Sequence, residues 1–246
     1  MSSDNKVEFV DNKAIIHRKK IREELVNRLS ENDIELSEQI VQNNFKKRKL
    51  LLDILTSGYC KGCQELNNDY STKCPNRPGP YGSMVSDIVF VNKIPTILEC
   101  VSSLSHSDSA GHFLMLIIKK LGLNPDNLYF TDFIKCPSRT LSEDSCWHCV
   151  VNYFLKEIDY IKPKAIIFQG LTAINMLSNN KILLDIPDKT EYGIIYDSYF
   201  ITRENPVKIL GIYDLNMVLQ KEGEELQQCK NIIWNNLLSV VKSIQT

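Results

Sequence analysis

Apolar positions recur along this chain in two rhythms. Short continuous apolar runs occur at 87–91, 128–134 and 164–169, with further strand-like segments at 194–201 and 207–213. Runs of this length, bounded by turn residues, read as buried β-strands. Between them the spacing becomes helical. Ala110 to Leu121 is amphipathic and stops at Gly122, a helix C-cap residue. Ser142 to Ile161 reads as one helix, with Ser142 as N-cap and Pro163 just past its end. Gly170 opens a short helix through Leu177, and Glu224 to Ile244 forms a closing one, with Trp234 in its core stripe. Strands alternating with helices predict an α/β domain whose central sheet is mainly parallel. In such sheets ligands bind beyond the carboxyl ends of the strands. That directs attention to Asn92–Thr96, Lys135–Arg139, Gly170–Thr172 and Asp214–Asn216.

The first part of the chain differs. Up to about Leu55 it is helical in pattern and rich in charge, with basic clusters at 17–20 and 46–49. A solvated helix face and a phosphate-contacting face both account for such clusters. Residues 59–82 then lose all periodicity and fill with Cys, Asn, Pro and Gly. The chain divides into a helical N-terminal extension, 1–57, and a main domain, 58–246.

Composition narrows the function classes. At 43% hydrophobic the chain is too apolar for disorder. No apolar run approaches the roughly 20 residues that span a bilayer. The polar start, 1–20, is unlike a secretory signal, so a cytoplasmic protein is expected. With 29 Lys+Arg against 30 Asp+Glu, nucleic-acid binding would have to be local.

The 8 cysteines carry the strongest chemical signal. In a reducing compartment disulfides are rare, so metal ligands and buried thiols are expected. Cys60 and Cys63 form a CxxC pair in the aperiodic loop. Cys136 follows a strand, and Cys146 and Cys149 lie on the next helix. Four thiolates suit structural zinc or a [4Fe–4S] cluster, and spacing alone does not separate them. Cys74, Cys100 and Cys229 read as ordinary thiols.

From Tyr59 to about Val241 the sequence resembles the uracil-DNA glycosylase superfamily, in particular its family 4 iron–sulfur type. The resemblance rests on four segments in order. They are Cys60-Lys-Gly-Cys63; Ser109-Ala-Gly-His-Phe-Leu114 running on to Leu123; Leu128-Tyr-Phe-Thr-Asp-Phe-Ile-Lys-Cys136, similar to a strand that ends TNxxKC; and Ile161 to Gly170 with Thr172-Ala173. It implies the three-layer fold of that superfamily and DNA as partner, with the protein acting as a monomer. It also implies a [4Fe–4S] cluster held by Cys60, Cys63, Cys136 and Cys149, with Cys146 as the competing fourth ligand.

The resemblance fails where uracil chemistry is defined. The family's G-E/D-x-P-G loop reads Asn92-Lys93-Ile94-Pro95-Thr96. The uracil-stacking Phe is His106, the base-reading Asn is Asp132, and the catalytic His aligns with Asp214. At the buried strand ends polar groups have replaced polar groups, which favours altered chemistry over lost chemistry. Asp214, Asn216 and Asp132 are the expected catalytic residues. Asn92, Lys93, Pro95, His106, His112 and Tyr213 are the expected substrate contacts. An ionised Asp only accepts hydrogen bonds, so it suits a base that offers a donor, such as the amine of cytosine. The resemblance extends to superfamily members that defend against phages with glucosylated hydroxymethylcytosine. The expected activity is therefore excision of a non-uracil, modified base. A catalytically inactive DNA-binding relative is the alternative.

Overall fold

In the computed structural model of this chain the described residues are 49, 78–136, 143–187, 190–200 and 206–245. The expected N-terminal extension, apart from residue 49, lies outside them, as do Cys60, Cys63, Cys74 and Arg139.

The strands are β1 (Tyr81–Gly82), β2 (Ile88–Asn92), β3 (Tyr129–Asp132), β4 (Ala165–Gln169), β5 (Leu183–Leu184), β6 (Ile195–Phe200) and β7 (Val207–Ile212). They form one sheet in the order β1-β3-β2-β4-β7-β6-β5. The centre, β3-β2-β4-β7, is parallel, while β1, β6 and β5 pair antiparallel at the edges. The helices are α1 (Ile97–Ser102), α2 (Ser109–Lys120), α3 (Glu143–Cys149), α4 (Leu155–Ile161), α5 (Thr172–Asn179), α6 (Leu215–Val218) and α7 (Gly223–Gln245).

Alternation along each strand divides the core in two. Ile88, Phe90, Phe130, Ile167, Leu210 and Ile212 face α2, α6 and α7. Val89, Val91, Tyr129, Ile166, Phe168 and Ile209 face α3, α4 and α5. A strand with helices on both faces must be apolar on both sides, which is why these runs are continuous rather than alternating. The result is the three-layer α/β architecture expected from the pattern.

The structure differs from the sequence reading in places. The helix expected over 142–161 is interrupted by a π-helical turn, Val150–Phe154. This turn lets Cys149, Val150, Phe154, Ile158 and Ile161 all face the core. The strand expected over 128–134 ends at Asp132. Its continuation instead folds over the neighbouring strand end, where Phe133 N and Ile134 N donate to the carbonyls of Asn92 (2.7 Å) and Lys93 (3.0 Å). β1, β5, α1 and α6 are each too short to show periodicity. Cys100, expected as a thiol, is buried on α1 and disulfide-bonded.

Candidate active site

The carboxyl ends of β2 and β3 bring two carboxyl groups together. Asn92 and Asp132 are cross-strand partners there. Just past β2, Thr96 caps α1 and Glu99 completes a capping box. Glu99 Oε2 accepts from Thr96 N at 2.6 Å. Its other oxygen, Oε1, accepts from Asn92 Nδ2 at 3.1 Å and from the backbone N–H of His106. One glutamate thus ties a helix start, a strand end and a distant turn together.

That turn, Leu104–Asp108, is closed by short-range hydrogen bonds. Ser107 Oγ donates to Leu104 O at 2.8 Å, and Ser105 Oγ lies 2.8 Å from His106 Nδ1. His106 holds a φ of 57°, uncommon for a residue with a Cβ and a mark of an over-determined turn. Its ring meets Phe130 edge-on at 5.5 Å. Asp108 caps α2 through Gly111 N, at 2.8 Å.

Glu99, His106 and Asp132 each place a polar side-chain atom within 4.8 Å of the others, and all three are buried. Burial, then the charges of Asp132 and Asp108, push the Glu99 carboxyl well above its usual range. Burial also raises Asp132, to about 7, against Lys135 and hydrogen bonds from Ser105 and Asn92. Both Glu99 oxygens already accept N–H groups. The two neighbouring acids disfavour each other's charge, which adds to the effect of burial on both. Asp132 Oδ1 has no hydrogen-bond partner among the described residues.

A second network fixes the Asp132 strand end. Lys135 is 1% exposed and paired with the fully buried Glu157. Its Nζ also donates to Thr131 Oγ1 and to Asp132 O, each at 2.6 Å. Tyr129 OH donates to Glu157 Oε1 at 2.9 Å. A buried pair with all three ammonium protons and both carboxylate oxygens engaged holds one geometry. It sets the Asp132–Cys136 segment against α4. On the same segment, Lys135 N donates to Cys149 Sγ at 3.2 Å, so Cys149 meets the residue beside Cys136. Cys146 is half-buried one helical turn earlier.

The other expected residues are placed differently. Asp214 lies at the end of β7, and its Oδ1 caps α6 by accepting from Asn216 N (2.9 Å) and Met217 N (3.4 Å). Asn216 Nδ2 reaches Asp108 Oδ2 at 3.5 Å, which links this rim to the acids. Tyr213 packs against Tyr192, ring centroids 4.6 Å apart. Pro95 is buried before the α1 cap, Lys93 is exposed, and His112 is half-buried in the first turn of α2. Glu99, Ser105 and Asp108 were not among the expected site residues. A signal existed for two of them: Thr96-x-x-Glu99 is a capping-box pattern, and Asp108 directly precedes a helix.

Comparison with known proteins agrees with this fold. The family described as "Uracil DNA glycosylase superfamily" matches residues 80–238. A type-4 uracil-DNA glycosylase of Archaeoglobus fulgidus is 26% identical over 156 residues, covering 62% of this chain and 76% of that protein. With the match running from the strand before β2 well into α7, this chain belongs to the uracil DNA glycosylase superfamily.

Proposed function

We propose that the protein is a DNA glycosylase that flips out a non-uracil base and hydrolyses its N-glycosidic bond, leaving an abasic site. The base is a cytosine with a polar substituent, glucosylated hydroxymethylcytosine being the leading case, which fits a role in defence against phages. The observation that carries this reading is Asp132 Oδ1, a buried acceptor without a partner at the carboxyl end of β3. An extruded base that offers an amine N–H would satisfy it.

The chain's own groups divide the work. Asp132 and Asn92 hold the base edge, and His106 walls the pocket where a larger aromatic would close it. Glu99, whose carboxyl burial pushes well above its usual range, keeps the α1 start and the His106 turn in place. Asp214, with Asn216, stands on the rim where a carboxylate can stabilise the oxocarbenium charge and orient water. Lys93, exposed beside the β2 end, and His112 would contact the DNA backbone.

Cys60, Cys63, Cys136 and Cys149 would hold a [4Fe–4S] cluster, with zinc as the alternative metal. The donor set fits: Cys149 Sγ already accepts a backbone N–H from the residue next to Cys136, as a buried thiolate does. When bound, the cluster would order the segment beside the DNA and take no part in the hydrolysis.

One observation favours the alternative, a relative that binds DNA without cutting it. Asp214 Oδ1 is engaged in capping α6. The test is to incubate the protein with oligonucleotides carrying cytosine, uracil or glucosylated hydroxymethylcytosine and to score abasic sites by alkaline cleavage. Cleavage confined to the glucosylated substrate, and lost in Asp214→Asn with DNA binding kept, is the expected result. DNA binding without abasic sites on any substrate selects the alternative.

A further inference from the structure

The carboxyl end of β4 carries a polar group outside the acid cluster. Gln169 is 5% exposed, and its Nε2 has no hydrogen-bond partner among the described residues. A buried unpaired amide is destabilising, so its presence in a strand of otherwise apolar residues calls for a ligand.

Register shows where it faces. Asn92 pairs with Asp132, Val91 pairs with Phe168, and Gln169 pairs with Ile212. Asp132, Asn92 and Gln169 therefore lie in one row across three adjacent parallel strands. Each stands two residues beyond a residue of the α2-side core, respectively Phe130, Phe90 and Ile167. Side chains two apart on a strand share a face, so all three point to the α2 side. The chain leaves β2 toward α1 and α2 on that face, whereas it leaves β4 toward α5 on the other. Adjacent strands whose exits diverge open a crevice between them, the usual ligand position in such sheets. Gln169 stands on that crevice.

We propose that Gln169 and Asp132 form a two-point reader for the edge of an extruded pyrimidine. Asp132 Oδ1 takes an N–H from the exocyclic amine, and the Gln169 amide donates to the carbonyl on the opposite flank of the ring. Asn92 lies between them, held by its bond to Glu99. Two strand spacings separate the backbones of the reading residues by about 10 Å, room for one ring with a hydrogen bond on each side. A base with an amine on one flank and a carbonyl on the other satisfies both groups. Uracil, with a carbonyl on each flank, offers no amine N–H to Asp132 Oδ1 and sets an oxygen against the carboxylate once it is ionised. This assignment rests on the glycosylase reading and adds a specificity-determining residue to it.

The experiment compares wild type with Gln169→Leu, which keeps the size of the side chain, and Gln169→Glu, which replaces the amide donor by an acceptor. Excision is followed on oligonucleotides containing cytosine, hydroxymethylcytosine or its glucosylated form. Affinity for free cytosine and uracil is measured by calorimetry, with abasic DNA as the binding control and thermal melting to confirm folding. The proposal expects both variants to melt as wild type and to bind abasic DNA equally, yet to lose tenfold or more in kcat/KM and in affinity for free cytosine. Excision by wild type with unchanged kcat/KM in both variants would overturn the role of Gln169 and leave the glycosylase reading standing. Gln169-dependent cytosine binding without excision supports the reader while removing the enzyme reading. Neither excision nor free-base binding by wild type overturns both.

Discussion

Asp132 is an acid placed where its charge is unwelcome. Its pKa stands at about 7 in the folded chain against an ordinary 3.8, mainly because burial disfavours the charged form. Between those values the folded chain keeps a proton that the unfolded chain has released. The contribution of this group is therefore fully present below the unfolded value and lost as pH rises through about 7. Glu99 shifts in the same direction, so the two reinforce each other. Asp132→Asn cannot ionise. In urea unfolding the variant should gain on wild type by a few kcal/mol between about pH 5 and about pH 8. A difference that does not vary with pH would show that the carboxyl is not held toward its protonated form. Asp132 drew attention in the sequence because it is an acid inside an apolar run and stands in a segment similar to TNxxKC. Its partner Glu99 did not, since a T-x-x-E pattern announces a helix start and says nothing of what else the glutamate touches.

The elements around the site work through close backbone approach. Helix α2 begins against the His106 turn, and Gly111 is the point of contact. A Cβ there would run into the His106 carbonyl, which is backbone and cannot rotate away. Gly111→Ala should destabilise the fold by about 1–3 kcal/mol, as overpacking does. That corresponds to a fall in Tm of very roughly 2–12 °C for a domain of this size. An unchanged melting temperature would mean that α2 does not sit against the turn as described. The same reasoning explains why the glycine stands at a helix start, a position its poor helix propensity alone would not recommend. The π-helical turn at Val150–Phe154 is a second case. It adjusts the helix so that Cys149 and Phe154 both face β3 and β4, a need that helical periodicity in sequence cannot express.

For the molecule as a whole, near-neutral charge means that any DNA contact is carried by a local patch rather than by the whole surface. No helix among the described residues is long and apolar enough to cross a membrane. The proposed cluster gives a test at this scale, because it would join a loop outside the described residues to the sheet domain. Protein purified without oxygen should be brown, with broad visible absorption and iron in proportion. Cys136→Ser and Cys149→Ser should be colourless, while Cys146→Ser keeps the colour. A zinc-loaded colourless wild type, or colour lost only in Cys146→Ser, would respectively change the metal or the fourth ligand.

What the sequence determined by itself is the layering. Continuous apolar strands separated by amphipathic helices can be buried only as a sheet covered on both faces, and the described strands β2, β3, β4 and β7 follow from that. Motif order likewise pointed to the superfamily, and the replaced residues pointed to altered chemistry. The tertiary structure decided which strand ends adjoin. Asp132 and Glu99 are 33 positions apart in the chain, and Gln169 is 37 beyond Asp132. They converge because the strand order is β3-β2-β4-β7 rather than sequential. Hydrophobic pattern reports that a residue is buried. It does not report its neighbours, because burial is a property of one position and adjacency is set by how the strands pair.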